Sequence, residues 1–224
     1  MFQRLYKALI ALVVVTATLT GLPALAASTP FLALDTDKAR YQPGDTVTFT
    51  ATTNDAVNMT LAVKYFQLET QIATQSVMID VDGSTTWTWR APAADYTGYL
   101  AQVSLLANNK AVSTQTIGID VSSDWSKFPR YGFLSDFSQQ SIDPQNAVIA
   151  SLNRFHINGL QFYDWQDKHD QPLTLIDGQP ISQWQDIAGR TTYLSNISNY
   201  IDLAHAHGMK AMNYNLINGA YVDY

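Results

Sequence analysis

Residues 158–170 read NGLQFYDWQDKHD. A turn pair opens this stretch, a short apolar run follows, and the tail from Asp164 onward carries carboxylates, an indole and an imidazole. A short apolar run bounded by turn residues is typical of a buried strand, which we predict over residues 160–164. Parallel sheets bind ligands beyond the carboxyl ends of their strands, so the polar tail is the first candidate for a binding site.

The segments on both sides alternate between strand and helix. Strands are predicted over residues 131–137 and 209–215. Between the first of these and residues 160–164, Asp143 is predicted as a helix N-cap, with Pro144 at the first helical position and the turn pair at 158–159 as the end. Apolar residues spaced four and three positions apart predict the apolar face of this helix: Val148, Leu152 and Phe155.

A second helical pattern ends at Gly208, after a long polar loop that follows residue 164. The residues that predict its apolar face are Leu194, Ile197, Ile201 and Ala204. The order strand, helix, strand, loop, helix, strand is that of a βαβαβ unit with a parallel sheet.

The chain before residue 122 follows a different rule, because its apolar residues alternate with period two. In DTVTFTATT, residues 45–53, one face of a predicted strand is apolar and the other is threonine. The pattern recurs between turn signals and predicts an immunoglobulin-like β-sandwich over residues 28–122. Trp87 and Trp89 could stack on sugar rings, but we favour a place in the sandwich core.

The first 27 residues are predicted to be a signal peptide. Arg4 and Lys7 precede an apolar run, and residues 24–26, Ala-Leu-Ala, form a cleavage site. An uncut membrane anchor is the alternative, but the run is shorter than the roughly 20 apolar residues that span a bilayer. We therefore expect a secreted, extracellular bacterial protein with no membrane association after cleavage.

Composition excludes several function classes. The formal net charge is -6, which disfavours nucleic acid but not a neutral polymer such as a polysaccharide. Cysteine is absent, so disulfides, thiolate metal sites and catalytic thiols are excluded. No cofactor is expected.

Polar and aromatic residues end all three predicted strands of the parallel sheet. They are Asp136 on the first strand, Tyr163, Asp164, Trp165 and His169 on and after the second, and Tyr214 and Asn215 on the third. Aromatic faces beside acids and amides suit a sugar, which offers apolar ring faces and a rim of hydroxyls. A solvated loop after each strand is the alternative. A metal site built from Asp164, Asp167, His169 and Asp170 is less favoured, because no second ligand cluster is visible.

Four blocks carry a resemblance to a known family: RYGFLSDF, SLNRFHINGLQFYDWQDKHDQPL, WQDIAGR and HAHGMKAMNYNLINGA. In this order and spacing, over residues 129–224, they resemble the start of the catalytic barrel of glycoside hydrolase family 66. That family contains endo-dextranases and cycloisomaltooligosaccharide glucanotransferases, which cleave α-1,6-linked glucan with retention.

The resemblance implies an immunoglobulin-like domain followed by a (β/α)8 TIM barrel. We expect a linker at residues 123–130 and an incomplete barrel over residues 131–224 that contains only its first three β/α units, since a full barrel takes about 250 residues. The aspartate nucleophile and glutamate acid/base of the family lie on later strands, so this chain is expected to contain neither and to be inactive alone. Asp164, Tyr163 and Trp165 would lie beside the glucose unit before the scissile bond.

The resulting hypothesis is a secreted, monomeric endo-dextranase represented by its N-terminal part. The first alternative is a cycloisomaltooligosaccharide glucanotransferase, which passes the glucan to a sugar hydroxyl instead of water. The second is a non-catalytic remnant that binds glucan, and the third is a product without function.

Overall fold

The structure is a computed structural model that describes residues 31–54 and 59–215. The predicted signal peptide lies outside these ranges, as does the end of the predicted barrel segment, residues 216–224. The described chain is mostly β-sheet, with two α-helices.

The first part of the chain forms two antiparallel sheets that pack face to face. The strands of the three-stranded sheet are, in spatial order, β1 (Phe31–Thr36), β2 (Thr46–Thr53) and β5 (Ser84–Arg90). The strands of the four-stranded sheet are, in spatial order, β4 (Thr70–Met78), β3 (Thr60–Gln67), β6 (Thr97–Ala107) and β7 (Lys110–Val121). We call this part the double-sheet region.

The period-two alternation buries one face of each sheet in a common core. Phe49 of β2 and Tyr65 of β3 are both 0% exposed, and their rings lie 6.0 Å apart across the two sheets. Trp87 stacks on Phe49 and Trp89 stacks on Tyr65, so the predicted core position of both tryptophans is confirmed. Val81 continues the period-two alternation in the sequence but lies in a turn after β4 and is fully exposed.

Turn residues fix the register of the strands. Asn108 and Asn109 have φ of 49° and 61° and form the two-residue turn between β6 and β7, as expected of an asparagine pair in a hairpin. Gly83 has φ of 77°, and a Cβ there would lie 2.6 Å from the carbonyl oxygen of Thr53. Only glycine fits this second turn without moving the backbone.

A single 3-10 turn, Trp125–Lys127, lies in the predicted linker between residues 123 and 130. The Asp124 carboxylate accepts a hydrogen bond from the backbone N–H of Ser126 at 3.0 Å, which caps the turn. The linker is therefore locally structured where the sequence predicted only a connection.

The second part of the chain contains a parallel sheet, as predicted. Its strands are, in chain order, β8 (Tyr131–Leu134), β9 (Gly159–Phe162) and β14 (Lys210–Asn213), with β9 in the centre. The helices α1 (Ile142–Arg154) and α2 (Leu194–Ala206) connect them. Buried residues of all these elements, among them Leu134, Ile149, Leu160 and Ile197, form one core. We call this part the parallel-sheet region.

Helix α1 differs from its prediction at both ends. Ser141 is the N-cap residue, so Asp143 and Pro144 lie in the first turn, where a negative charge and a missing N–H are both tolerated. The helix ends at Arg154, and the left-handed backbone of His156, φ 55°, turns the chain. Asn158 has another role, because its side-chain oxygen accepts from the Arg130 N–H at 2.9 Å and its amide donates to the Phe128 carbonyl.

The predicted apolar face of α1 was also wrong in part. Val148 is 38% and Phe155 70% exposed, so of the three predicted residues only Leu152 packs against the core. The residues that α1 buries most are Gln145, Ile149 and Asn153. Periodicity alone could not find this face, because Asn153 faces the double-sheet region, where its amide donates to the Thr36 carbonyl at 2.6 Å.

Helix α2 follows its prediction more closely, with Ile197 and Ala204 buried and Gly208, φ 72°, just beyond its end. The loop before it, predicted as continuous and polar, contains two small hairpins. They are β10 (Leu175–Ile176) with β11 (Gln179–Pro180), and β12 (Gln183–Gln185) with β13 (Thr191–Tyr193). Trp184 of β12 is only 6% exposed, so this loop contributes to the core.

The two regions are joined by backbone and side-chain contacts. The Ala39 N–H donates to the His207 carbonyl at 3.0 Å, and Arg154 pairs with Asp35 at 2.6 Å. Neither helix in the described residues has the length and apolar character that crossing a bilayer requires.

Candidate functional site

The three parallel strands end in register at one edge of the sheet. Leu134, Phe162 and Asn213 are aligned across β8, β9 and β14. The ladder continues one residue further, because the Tyr163 N–H donates to the Leu134 carbonyl at 2.8 Å and the Tyr214 N–H to the Phe162 carbonyl at 3.3 Å.

In each of the three segments, the second residue beyond this aligned row carries a candidate polar side chain. Asp136, Asp164 and Asn215 each lie two residues beyond the aligned row, so they share one edge of the sheet. We call the residues that follow this row on the three strands the strand-end site. After β9 the site extends to His169. The parallel register brings together residues that are far apart in the sequence.

Aromatic rings line the strand-end site. The rings of Tyr163 and Tyr214 lie 4.4 Å apart at 41°, and Phe133 lies 6.1 Å from Tyr163. A hydrogen bond to Tyr214 raises the pKa of the Tyr163 hydroxyl, and the negative charge of nearby Asp164 acts in the same direction. Tyr163 therefore stays protonated at neutral pH and can donate a hydrogen bond.

Asp164 is half-buried and has a left-handed backbone, φ 52°. Aspartate tolerates this conformation better than most residues, yet strained backbone of this kind is concentrated at functional sites. No hydrogen-bond or ion-pair partner for its carboxylate is found among residues 31–54 and 59–215. Its oxygens are thus available to accept hydrogen bonds from a ligand.

Two residues that the sequence did not single out support the site. Gln166 is 0% exposed, and its side-chain amide donates to the Tyr214 carbonyl, which ties the segment after β9 to the one after β14. Trp184 donates its indole N–H to the Trp165 carbonyl at 2.8 Å. Trp184 had a sequence signal, as a large aromatic in a polar loop, but nothing marked Gln166.

Trp165 and Asn215 are already engaged within the protein. The Trp165 indole N–H donates to Oδ1 of Asn213 at 2.6 Å, and the Asn213 amide donates to Oδ1 of Asn215 at 2.9 Å. The edge of the Trp165 ring packs against Trp184, with centroids 6.3 Å apart. Trp165 is thus oriented by two partners and can offer a ligand only the exposed part of its ring.

Asp136 turns back towards its own chain segment. Its carboxylate accepts from the Ser138 N–H at 3.0 Å and from the Gln140 amide at 3.4 Å, and it is exposed. The hydrogen bonds from Ser138 lower the pKa of Asp136, so this carboxyl is ionised at neutral pH. It can accept hydrogen bonds but cannot give up a proton.

His169 lies in the loop after β9 with Nδ1 buried and without a hydrogen-bond partner in the described part of the chain. The same holds for Oδ1 of neighbouring Asp170. Asp167 instead accepts from the Thr174 hydroxyl at 2.5 Å. Within the two described ranges no group of three or more His, Asp or Glu side chains is arranged to hold a metal ion.

Comparison with known proteins places this geometry in a family context. The family model for glycosyl hydrolase family 66 matches residues 36–224. Two cycloisomaltooligosaccharide glucanotransferases from Niallia circulans are 32% and 31% identical over 199 residues, which is 84% of this chain and 20% of each relative. A dextranase from Streptococcus salivarius is 28% identical over 132 residues, 54% of this chain and 16% of that protein.

A solved structure is also similar in both sequence and fold. The crystal structure of a cycloisomaltooligosaccharide glucanotransferase from a Paenibacillus species, in complex with cycloisomaltoheptaose, superposes with a TM-score of 0.76 at 34% identity. The match covers 83% of this chain and 27% of that one. The chain therefore spans between a sixth and about a quarter of the length of these relatives.

Proposed function

Because the chain belongs to glycosyl hydrolase family 66, we propose that it supplies glucan-binding residues to an enzyme that cleaves α-1,6-linked glucan with retention. The proposal extends to architecture: the double-sheet region is an immunoglobulin-like domain, and the parallel-sheet region is the first three β/α units of a (β/α)8 barrel. Secretion after removal of residues 1–27 belongs to the same proposal.

The observation that carries the proposal is the alignment of three strand ends. Asp136, Asp164 and Asn215 share one edge of the sheet, and the paired rings of Tyr163 and Tyr214 lie at the same edge. Rings that stack on a sugar face, next to oxygens that accept from sugar hydroxyls, are the groups that a neutral carbohydrate requires.

Each residue has a distinct role in this proposal. Asp164, whose carboxylate is free of protein partners among the described residues, accepts hydrogen bonds from sugar hydroxyls next to the scissile bond. These bonds strengthen as positive charge develops on the sugar ring, so they lower the barrier more than they improve binding. Tyr163 and Tyr214 contact the apolar face of a glucose unit, and His169 and Asn215 bind at its rim.

We assign neither catalytic carboxyl to the strand-end site. Retention requires a nucleophile and an acid/base about 5–5.5 Å apart, and the acid/base must hold a proton at neutral pH. Asp136 fails this requirement because hydrogen bonds from Ser138 lower its pKa. Because the resemblance to the family implies that both catalytic carboxyls lie on later strands, Asp164 is proposed as a binding residue and not as a member of the catalytic pair.

Hydrolysis and cyclisation share the cleavage step and differ in the acceptor. Our first proposal is an endo-dextranase, in which water is the acceptor. The second is a cycloisomaltooligosaccharide glucanotransferase, supported by the larger share of the chain that those relatives match, 84% against 54% for the dextranase. The identity of linear or cyclic products formed from dextran by the intact protein distinguishes the two.

The test is Asp164→Asn in the intact protein that carries this chain, with kcat/KM measured on dextran. Asparagine accepts a left-handed backbone as aspartate does, so the substitution removes the charge without adding strain. We expect kcat/KM to fall about a hundredfold, as for loss of one group that stabilises a transition state. The thermal unfolding midpoint should stay at its wild-type value.

Asp164→Gly is the matched control for the backbone, because glycine is unstrained at φ 52° and carries no side chain. It should lose at least as much activity as Asp164→Asn. If either variant cleaves dextran at the wild-type rate, Asp164 does not contact the substrate. If the wild-type protein binds α-1,6-glucan but does not cleave it, the non-catalytic alternative replaces the enzyme.

A further inference from the structure

A crevice lies between the double-sheet region and the start of the parallel-sheet region. Its volume is about 220 Å3, and among its walls are Arg40, Tyr96, Asp120, Phe128 and Arg130. Arg130 immediately precedes β8, so the crevice lies at the amino end of the parallel strands. The strand-end site is at the opposite, carboxyl end, and the two are therefore separate. We call this cavity the junction crevice.

Two aromatic rings in the junction crevice remain open to solvent. Tyr96 is 47% and Phe128 52% exposed, and their ring centroids lie 6.4 Å apart. Neither ring belongs to the core clusters of the two regions. Exposed rings held side by side provide a surface on which an apolar ring face can stack.

Tyr96 is held in its position at a conformational cost. Its backbone is left-handed, φ 53°, which is rare for an aromatic residue. The Asp95 carboxylate fixes it by accepting from the Tyr96 N–H at 2.9 Å and from the Ser123 N–H at 2.8 Å. These bonds link the turn before β6 to the connection between the regions, so the ring is positioned before any ligand arrives.

The charges around the rings favour a neutral ligand. Arg130 is paired with Asp120, and Arg40 donates to the Ser122 carbonyl while its Nε is buried without a hydrogen-bond partner in the described part of the chain. Carboxylates at Asp95 and Asp120 offset the two guanidinium groups. A phosphate would meet this negative charge, whereas sugar hydroxyls can both donate to carboxylates and accept from guanidinium groups.

We propose that the junction crevice is a second carbohydrate-binding site, with Tyr96 and Phe128 as its stacking surface. Arg40 and Asp120 bind hydroxyls at its edge. The choice of an α-1,6-glucan as its ligand rests on the proposed function, but the preference for a neutral oligosaccharide follows from the residues of the crevice. The site would hold a glucan chain away from the point of cleavage.

Affinity electrophoresis through gels that contain dextran tests the proposal. The intact protein carries Asp164→Asn throughout, so that cleavage of the ligand during the run is slowed. Tyr96→Gly removes the ring and relieves the backbone strain, and Phe128→Ala removes the second ring. Each should raise the dissociation constant for dextran about fivefold, as expected for loss of one aromatic contact.

Phe155→Ala is the matched control, because this ring is 70% exposed but does not line the crevice, and it should leave retention unchanged. Retention that is equal in the parent, Tyr96→Gly and Phe128→Ala, with unfolding midpoints preserved, overturns the proposal. Parallel gels with amylose and soluble cellulose separate failure of the junction site from failure of the proposed α-1,6-glucan function. If Tyr96→Gly loses retention on one of these glucans and dextran retains no variant, the junction site stands and the α-1,6-glucan function fails.

Discussion

The double-sheet and parallel-sheet regions differ in how far some of their strands bury aromatic rings. Phe49 and Tyr65 of the double-sheet region are 0% exposed, whereas Tyr131 and Phe133 of β8 are 63% and 66% exposed. The first region buries its rings between its own two sheets. The second leaves rings open on the strands that lead to the strand-end site. The first region therefore closes its own core, whereas in the second the rings of β8 have no covering layer among the described residues.

Buried polar atoms without a hydrogen-bond partner are also distributed unevenly between the two regions. Apart from Arg40, the residues with buried side-chain atoms that lack a hydrogen-bond partner in the described ranges all belong to the parallel-sheet region: Gln145, Asn153, His156, Gln166, His169 and Asp170. An unsatisfied buried polar atom costs about 1–3 kcal/mol. Two of these residues, Gln166 and His169, lie at or next to the proposed glucan-binding residues.

Phe49→Ala should give the largest stability effect and would sharpen the comparison. Phe49 is fully buried and stacks on Trp87 at 5.1 Å, so its loss opens a cavity between the sheets. We expect the free energy of unfolding to fall by about 3–5 kcal/mol. Urea denaturation followed by tryptophan fluorescence measures this change.

Phe133→Ala is the matched variant in the parallel-sheet region. Because Phe133 is 66% exposed, its loss should change the free energy of unfolding by less than about 0.5 kcal/mol. Equal effects at Phe49 and Phe133 would break the comparison, since they would require Phe133 to be buried in solution.

The fold could be predicted where one physical rule dominates. Period-two alternation identified the buried faces of the double-sheet region, because each strand has one apolar and one polar face. The rule failed for α1, whose buried positions include Gln145 and Asn153. Asn153 is buried because it bonds across to Thr36, and such a long-range contact leaves no periodic signal in the chain.

The strand-end site, like the fold, could be predicted from the sequence only in part. Strand order and polarity predicted that Asp136, Asp164 and Asn215 would share an edge, and the register places them there. The sequence could not reveal that Asp136 would turn towards Ser138 or that Trp165 would donate to Asn213. These contacts depend on side-chain orientation in loops, which neither composition nor spacing determines.

Alkaline pH should reveal the burial of Tyr65 in the double-sheet region. Burial raises the pKa of its hydroxyl to about 12 from 10.0. Between these values the unfolded chain releases a proton that the folded chain keeps, so stability is full below pH 10 and falls as pH rises. The expected loss is about 1.4 kcal/mol per pH unit until pH 12. Urea denaturation at a series of pH values from 9 to 11.5 measures it.

Tyr65→Phe should make this decline shallower, although it also removes hydrogen bonds to Gln75 and Trp87 and so lowers stability at pH 7. Tyr41 and Tyr200, whose pKa values are also raised by burial, should maintain part of the decline in the variant. Tyr163→Phe is the comparison in the parallel-sheet region. The pKa of exposed Tyr163 is raised by its hydrogen bond to Tyr214 and hardly by burial, so its removal should flatten the slope less than Tyr65→Phe does. An equal reduction at both sites would contradict the assignment to buried tyrosines.

A small effect is also expected at the ion pair that joins the regions. Arg154 contacts Asp35 through Nε at 2.6 Å, but the side chains are 56% and 30% exposed. Exposed pairs contribute about 0–1 kcal/mol, and salt screens them. A double-mutant cycle with Arg154→Met and Asp35→Asn should therefore give a coupling below about 1 kcal/mol that disappears in about 1 M salt.

A coupling of several kcal/mol, unaffected by salt, would mean that charge holds the two regions together. The structure favours buried contacts instead, because the Asn153 amide and the Ala39 N–H both bond across the boundary to carbonyl oxygens. Asn153→Leu leaves the Thr36 carbonyl without its donor, and should cost more than Arg154→Met in the same measurement. The order of these two variants thus decides whether the boundary behaves as a core or as a surface.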